Sequence, residues 1–447
     1  MATYYVRSTD GDNADTGATW ALAEADLQTP TWTAGDVIYV SQAHAQSTAA
    51  SITIITAGTL ASPTKIICAN DAAEPPTAVA TTGTVTTTGA TNITVTGACL
   101  YIYGLTFSVG TLGSSGNFAY GTDSGFGVFD NCGFTLGGSN VAALITFGNQ
   151  STSLNTKVVL NNPSFKFGNA SQKVNLPNVE LTINGGSAAS GGTSPTYAFF
   201  ASSAFSFSAL TVNGFDFSNW ASTLDIVYPG AAMMRAIFRN CKMPASWTGD
   251  LVTSAITTAD SRVSMYNCDS ADTNYRLWIE DYVGTIKHST TIYNNAGATD
   301  GTTRISWQMV TNANAEYPHI TLKSDEIFKN NETVGSAITV TVEFLIDSAT
   351  TLYKEDVWME VMYLGTLGTP LALFDKGSGH ADVLVALATT ECTTGTGVAN
   401  WTGDGAGAKS YKLVSTITPQ EKGYIHAVVH VAKASTTIYV DPLLTVA

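Results

Sequence analysis

A short segment centred on Asn or Gly recurs through the first two thirds of the chain and constrains the fold more than any other feature. The steps between its copies are 27, 31, 22, 30, 26, 27 and 27 residues. Between the copies lie runs rich in Val, Ile, Phe, Thr and Tyr, without helical periodicity. This pattern predicts a coil of stacked turns, here called rungs, with two or three short strands each. The anchor residues are Gly104, Asn131, Asn162, Asn184, Gly214, Asn240, Asn267 and Asn294.

Stacking gives the anchor asparagines a physical role. In such a coil each residue lies about 4.8 Å from its equivalent on the next rung. Asn tolerates the left-handed backbone conformation, and its amide can bond to the Asn amides above and below it. The sequence therefore predicts two structural ladders along the coil. Their members are Asn131 with Asn162, and Asn240 with Asn267 and Asn294.

Cysteine follows the anchor in three rungs, at Cys132, Cys241 and Cys268. This position predicts an inward stack in which Cys241 and Cys268 occupy adjacent rungs, as thiols rather than as a disulfide. None of the six cysteines forms a CxxC pair or has a metal-finger spacing to histidine. We expect buried free thiols and assembly in the reducing cytoplasm of a host cell.

Several segments carry a family resemblance. They are residues 4–28, AGDVIYV at 34–40, GTLASPTKIICAN at 58–70 and TNITVTGACLYIYGLTF at 91–107. Together with the rungs they resemble pectate-lyase-like, right-handed parallel β-helix proteins over residues 3–297. The resemblance implies a short amphipathic helix, about Trp20 to Leu27, that caps the first rung. Phage tailspikes, depolymerases and some head-decoration proteins share this architecture, so the resemblance also implies a phage virion.

The rhythm of 27 residues stops after Asn295. Strands with clean alternation follow, such as 338–346, where Val340, Val342 and Phe344 share one face. These strands predict an all-β chain in which the coil is followed by an antiparallel, jelly-roll-like β-sandwich. The expected domains are an N-terminal cap at 1–35, the β-helix at 36–297 and the sandwich at 298–447.

The charge composition excludes some partners. Only 12% of the residues are charged, and the net charge is −15. Nucleic-acid binding requires clustered Lys and Arg, which are absent, so no nucleic-acid partner is expected. No basic segment followed by an apolar run opens the chain, and no run of 18 uncharged apolar residues occurs. We therefore expect a soluble protein without a cleaved signal and without membrane insertion.

One group of charges invites a catalytic interpretation. Asp216, Lys242 and Asp269 lie two residues after their anchors on consecutive rungs, so the two carboxylates should be about 10 Å apart with an ammonium between them. A glycosidase needs one protonated carboxyl, and the lysine would keep both ionised. The favoured interpretation is a surface ladder of salt bridges. These three residues are the catalytic candidates if the protein is an enzyme.

A polar loop near the start contains Asp10, Asp12 and Asp15. Its oxygens do not follow the spacing of a calcium loop, and Ala21 stands where the closing bidentate Glu belongs. These three aspartates are the only metal candidates, and we expect neither a metal nor a cofactor.

The expected function is that of a non-enzymatic structural protein on the surface of a tailed-phage virion, as a head decoration or a tail appendage. The expected partners are two further copies in a homotrimer and other capsid or tail proteins. Two alternatives stay open. One is a tailspike that depolymerises polysaccharide as a hydrolase or lyase, and the other is an adhesin that binds host surface glycans.

Overall fold

The computed structural model divides the chain into two compact units. The first comprises Met1–Pro244 with Ile256–Ser261, and the second Ala245–Ala255 with Arg262–Ala447. The structure describes residues 2–110, 116–121, 125–138, 142–149, 156–196, 198–202, 207–229, 234–245, 247, 249–253, 262–270, 276–282, 285–294, 303–310, 319–323, 336–346, 356–363, 401–402, 409–417, 425–431, 433–441 and 445–446.

The first unit consists of short strands. They are β1 Thr3–Val6, β2 Thr31–Trp32, β3 Val37–Ser41, β4 Ala45–Thr48, β5 Ile52–Thr56, β6 Thr64–Ala69, β7 Gly83–Thr87, β8 Ile93–Thr96, β9 Cys99–Tyr103, β10 Leu105–Val109, β11 Phe118–Tyr120, β12 Phe126–Asp130, β13 Gly133–Leu136, β14 Leu144–Phe147, β15 Thr156–Asn161, β16 Ser164–Lys166, β17 Lys173–Asn175, β18 Val179–Asn184, β19 Ser187–Ala188, β20 Phe200–Ala201, β21 Ser208–Asn213, β22 Val227–Tyr228, β23 Met234–Arg239 and β24 Lys242–Met243.

These strands form three parallel sheets, and successive strands of one sheet come from successive rungs. The long sheet runs β1, β3, β6, β9, β12, β15, β18, β21, β23. The second sheet runs β4, β7, β10, β13, β16, β19, and the third β2, β5, β8, β11, β14, β17, β20, β22. The first unit is therefore a parallel β-helix, as the repeat predicts.

Alternation along each strand separates the inside of the β-helix from its outer face. In β15 and β18 every second residue is buried, and the residues between them are exposed or half-buried. Inside, equivalent side chains stack from rung to rung. Phe107, Phe134 and Phe165 are in register, with ring centroids 6.0 and 5.5 Å apart and interplanar angles of 21° and 22°. All three rings are buried, so this stack forms the centre of the core.

The corner that ends each strand of the long sheet from β9 to β23 has the left-handed conformation. Its φ angles are 76° at Gly104, 51° at Asn131, 49° at Asn162, 64° at Gly185, 71° at Gly214 and 53° at Asn240. The backbone N–H of each of the first five corners donates to a carbonyl on the next rung, at 2.7–2.9 Å. The predicted anchor Asn184 differs from this pattern by one residue. Gly185 takes the corner because it has no Cβ to strain, and Asn184 ends the strand before it.

The N-terminal cap contains a single 3-10 turn, Trp20–Leu22, where the sequence predicts a helix to Leu27. The helix stops because Ala23 is extended and the Glu24 N–H donates to the Tyr5 carbonyl. Trp20 packs against Tyr5, with ring centroids 4.8 Å apart. The chain therefore covers the first rung mostly with extended backbone.

His44 joins the cap to the coil. Its Nδ1 accepts the Ser8 N–H at 3.1 Å, and the Ala45 N–H donates to the Ser8 hydroxyl. The ring is 1% exposed, and burial lowers the pKa of His44 to about 4. The imidazole is therefore neutral at neutral pH and acts as an acceptor.

The second unit is antiparallel. Its strands are β25 Arg262–Ser270, β26 Arg276–Tyr282, β27 Thr285–Asn294, β28 Thr303–Val310, β29 His319–Lys323, β30 Ile338–Ile346, β31 Val357–Tyr363, β32 Trp401–Thr402, β33 Lys409–Ile417, β34 Ile425–Val431, β35 Thr437–Val440 and β36 Thr445–Val446. One sheet contains β25, β26, β29, β34 and β31. The other contains β32, β27, β28, β35, β30 and β33, with β36 beside β30.

The predicted fold class is confirmed, because a parallel β-helix is followed by antiparallel strands that include a separate antiparallel sheet, as expected for a sandwich. In β30 the buried Val340, Val342 and Phe344 alternate with half-buried residues. The change between the units comes earlier than the predicted boundary at 297. The strands β25 and β26 already pair antiparallel, so they are not successive rungs of a parallel coil.

Among the described residues, no helix is long and apolar enough to cross a membrane.

Candidate functional site

The outer face of the long sheet carries three rows of side chains in register. The middle row contains Lys65, Tyr101, Val128, Val159, Thr182, Thr211 and Ile237. Two residues further along each strand, the corner row contains Ile67, Tyr103, Asp130, Asn161, Asn184, Asn213 and Arg239. Two residues before it, the entry row contains Phe126, Lys157, Glu180, Ala209 and Arg235.

An apolar depression of about 450 Å³ lies at the N-terminal part of this face. A tight turn, closed by reciprocal hydrogen bonds between Thr59 and Ser62, holds Leu60 at one rim with 80% of its side chain exposed. Phe126 stands at another position in the lining and is 36% exposed. Aromatic and apolar groups that remain this accessible are typical of binding surfaces. The depression is lined by Leu60, Pro63, Lys65, Ile67, Cys99, Leu100, Tyr101, Phe126 and Val128.

A phenol and a carboxylate meet beside the depression. The Tyr101 hydroxyl donates to Asp130 Oδ2 at 3.1 Å, and the Asn131 amide donates to Asp130 Oδ1 at 2.9 Å. Burial and the neighbouring Asp130 charge raise the pKa of Tyr101 to about 12. The phenol is therefore protonated at neutral pH and is a weak acid whose proton is held by Asp130.

Amides form a ladder in the corner row. The Asn184 amide donates to Asn161 Oδ1 at 3.0 Å, and the Asn213 amide donates to Asn184 Oδ1 at 3.0 Å. Sequence reasoning missed this ladder because it assigned Asn184 to the corner itself. The signal was the Asn that stands one residue before the anchors Asn162 and Gly214.

The predicted ladder residues have three different placements. Asn162 donates to Asn131 Oδ1 at 2.7 Å, at two left-handed corners. Asn240 is also a left-handed corner. Asn267 has a φ of 54° at a register shift in the antiparallel strand β25. Asn294 pairs with Thr303 in the antiparallel strand β27 and so lies outside the coil, and its side chain lies outside the described residues.

The predicted cysteines are buried free thiols. Cys241 donates to the Arg239 carbonyl at 3.5 Å, and Cys268 to the Tyr266 carbonyl at 3.6 Å. Each thiol thus bonds two residues back along its own strand or corner. Cys392 lies outside the described residues.

Asp216 and Lys242 occupy the position predicted for them, in register on neighbouring rungs. Lys242 Nζ lies 3.4 Å from Asp216 Oδ2, and 51% and 36% of these side chains are exposed. Partial burial raises the pKa of Asp216, but hydrogen bonds from Ser218 and the nearby Lys242 ammonium bring it below its ordinary value. Asp216 is therefore ionised at neutral pH. Asp269 pairs with Arg276 in the antiparallel strand β25, and its side chain lies outside the described residues.

Rung spacing separates the described acids. Asp130 belongs to β12, and Asp216 follows β21, three strands further along the long sheet. At about 4.8 Å per strand the carboxylates are at least about 14 Å apart. A hydrolase acting on one glycosidic bond needs its two carboxyl groups within roughly 5 to 9.5 Å. Asp130 and Asp216 of one chain therefore cannot act on the same bond.

The metal candidates of the cap have separate contacts. Asp10 forms an ion pair with Arg7, and Asp12 Oδ1 accepts the Ala14 N–H at 3.0 Å. Asp15 lies near Glu24, whose pKa is raised by burial first and then by the charges of Asp15 and Asp12. Within the described part of the chain, no three acidic, histidine or cysteine side chains are grouped to hold a metal ion.

Comparison with known proteins gives only distant likenesses. No protein-family model and no curated protein matches the chain. One similar solved structure is the enzymatically active domain of tailspike protein 4 of bacteriophage CBA120, with 12% identity and a TM-score of 0.28. That match covers 92% of this chain but only 64% of the tailspike domain, so this chain corresponds to less than two thirds of it.

Two further solved structures are similar. A rhamnogalacturonan lyase has 12% identity and a TM-score of 0.32, covering 61% of this chain and 87% of the lyase. Pantoea stewartii WceF, described as a glycan biofilm modifying enzyme with a bacteriophage tailspike-like parallel β-helix fold, has 8% identity and a TM-score of 0.22. The match covers 93% of this chain and 56% of WceF. At these scores the likenesses assign no residue a role.

The expectation that the protein is not an enzyme is contradicted by these neighbours, because all three are described as enzymes or as enzymatically active. The predicted resemblance to phage β-helix proteins is confirmed, since the neighbours include a phage tailspike and a tailspike-like protein. The chain is thus similar to tailspike-like proteins, and its first unit is itself a parallel β-helix.

Proposed function

We propose that the protein is a component of a phage tail that binds a host surface polysaccharide along the outer face of the long sheet and degrades it. The observation that carries the proposal is the apolar depression beside Tyr101 and Asp130, on a face that continues as a row of amides. Aromatic faces pack against the C–H faces of sugar rings, and amides bond to sugar hydroxyls. The long parallel sheet places these groups in rows that an extended polymer can contact.

Tyr101 and Asp130 bind the polymer in this proposal. The Tyr101 hydroxyl gives its one proton to Asp130, so its oxygen and the Asp130 carboxylate accept hydrogen bonds from sugar hydroxyls. Asp216 is ionised and can activate a water for hydrolysis, but Asp130 of the same chain lies too far along the coil to act with it. A homotrimer resolves this separation, because side-by-side coils bring acids of different subunits to one groove. Trimerisation, contact with other virion proteins and assembly in the host cytoplasm belong to the proposal as predictions.

The test is incubation of the full chain with purified host capsular or O-antigen polysaccharide, followed by size-exclusion chromatography of the polymer. We expect shortening by the natural protein, and a loss of about tenfold in rate for Tyr101→Phe, since one hydrogen bond contributes about 0.5–1.5 kcal/mol. Asp216→Asn tests the second acid in the same assay. Lys166→Gln, on the second sheet, is the matched control and should leave the rate unchanged.

Two outcomes would contradict the proposal. A polymer that stays intact with every host polysaccharide would remove degradation, even if it is retained by the protein. Full activity of Tyr101→Phe together with Asp130→Asn would move the chemistry away from the depression. Sedimentation that shows a monomer at micromolar concentration would remove the trimer.

A further inference from the structure

We propose that the apolar depression is a subsite for an acidic sugar residue, so that the polysaccharide bound by this face is a polyanion. This inference rests on the proposed function and adds the chemical class of the substrate. Lys65 carries it, because it is the one charged side chain in the lining of an otherwise apolar depression.

The shape of the depression suits a single sugar ring with a charged substituent. Its volume of about 450 Å³ lies within the range of about 300 to 1,000 Å³ that is typical of small-molecule sites. Tyr101 and Phe126 provide aromatic surface, and Leu60 provides an exposed aliphatic rim. A sugar ring can pack on these surfaces while its carboxylate reaches the ammonium in the same lining.

Lys65 has no ion pair among the described residues. The carboxylate of Asp130 belongs to the neighbouring corner row, but its two oxygens already accept hydrogen bonds from Tyr101 and Asn131. An exposed ammonium beside apolar side chains is less hydrated than one on an open surface, so pairing with a ligand carboxylate is favoured there.

Further cations continue along the same face at regular intervals. Lys65 lies in β6, Lys157 in β15 and Arg235 in β23, and each is three strands beyond the previous one in the long sheet. The separation is about 14 Å per step. Lys157 forms an ion pair with Glu180 at 2.9 Å. Lys65 and Arg235 are therefore the stronger sites for an anion.

The net charge of the chain makes this distribution informative. A chain with a net charge of −15 repels polyanions in general. Four of the eight Lys and Arg residues before residue 245 nevertheless lie on the outer face of the long sheet, at Lys65, Lys157, Arg235 and Arg239. The described acids of this face are Asp130 and Glu180, so the face is positive although the chain as a whole is negative. A neutral polysaccharide would not need this difference.

The test is the binding of the full chain to three immobilised acidic polymers, polygalacturonate, hyaluronate and polysialate, each beside its carboxyl-reduced form. We expect at least one acidic polymer to be retained about tenfold more strongly than its reduced form at low salt. Lys65→Gln should weaken this retention about fivefold, as for loss of one ion pair. The control Lys166→Gln should not change it, and added salt should weaken it.

Equal retention of an acidic polymer and its reduced form would overturn the inference, and so would failure to retain any of the three. Retention that Lys65→Gln leaves intact would remove the depression as the subsite. These results are distinguishable from failure of the proposed function. A neutral host polysaccharide that is shortened by the protein would leave the proposed function standing and would contradict only the acidic substrate.

Discussion

The inside and the outer face of the β-helix are built from the same strands but follow opposite rules. Inside, equivalent positions stay apolar from rung to rung, as in the stack of Phe107, Phe134 and Phe165. Outside, the same register produces rows that change character from rung to rung, as in the corner row, which passes from Ile67 and Tyr103 to the amide at Asn184. The inside therefore supplies stability, and the outer face is free to supply binding.

The largest expected effect tests the inside. Phe134→Ala should lower the free energy of unfolding by about 3–5 kcal/mol, because it leaves a cavity between two stacked rings. Urea titration measures the change. Phe126→Ala is the matched control on the outer face and should cost under about 1 kcal/mol, because the ring is 36% exposed. Similar losses for the two variants would break the distinction between the inside and the outer face.

A pH effect of about 3 kcal/mol tests the border between cap and coil. Unfolded His44 takes up a proton near pH 6.5, but the folded protein does so only near pH 4. The unfolded state therefore binds more protons between these values, and stability falls as the pH drops from about 6.5 to about 4. The natural protein should lose about 3 kcal/mol more over this range than His44→Gln. Equal losses of unfolding free energy in the natural protein and in His44→Gln would show that protonation of His44 does not destabilise the fold.

The corner asparagines allow a finer test of about 1–2 kcal/mol. Asn162→Ala removes the amide bond to Asn131 and forces Ala into the left-handed conformation, which costs about 1–2 kcal/mol for a residue with an ordinary Cβ. Asn162→Gly removes the same amide but accepts the backbone conformation. We expect the midpoint of thermal unfolding to be lower for Asn162→Ala than for Asn162→Gly, which should lie close to the natural protein. Equal midpoints for the two variants would assign the stability to the amide ladder instead.

The smallest effect concerns an ion pair of the outer face. Lys157 and Glu180 are 2.9 Å apart, but 57% and 52% of their side chains are exposed. Lys157→Ala should change the free energy of unfolding by less than about 0.5 kcal/mol, measured at low and at high salt. A loss above 2 kcal/mol, on the scale of a buried contact, would mean that the outer face also stabilises the coil.

The sequence predicts the parts of the fold that follow from repetition. Asn131, Asn162 and Asn240 mark corners because few other residues tolerate positive φ. The shift at Gly185 could not be read from the pattern, since Asn184 and Gly185 both suit a corner. The end of the coil could not be read from it either. Asn267 keeps the left-handed conformation in β25, where the pairing with β26 is antiparallel.

The candidate site was less accessible to sequence reasoning. Asp216 and Lys242 emerged because both lie two residues after a corner. Tyr101 and Asp130 were missed because they stand in neighbouring rows and meet diagonally across two strands. The depression depends on Leu60, which belongs to a turn outside the repeat. Contacts between repeated and unrepeated segments leave no periodic signal.

The constant register of the long sheet fixes distances along the β-helix. Each rung adds the same increment of about 4.8 Å, so the distance between two outer side chains is fixed by the number of rungs between them. Removing one whole rung between Lys65 and Lys157 would bring their charges closer by one increment along the coil. The number of rungs between two charged side chains therefore sets the spacing of charges on a polymer that they can bind. This spacing does not depend on which residues make the contacts.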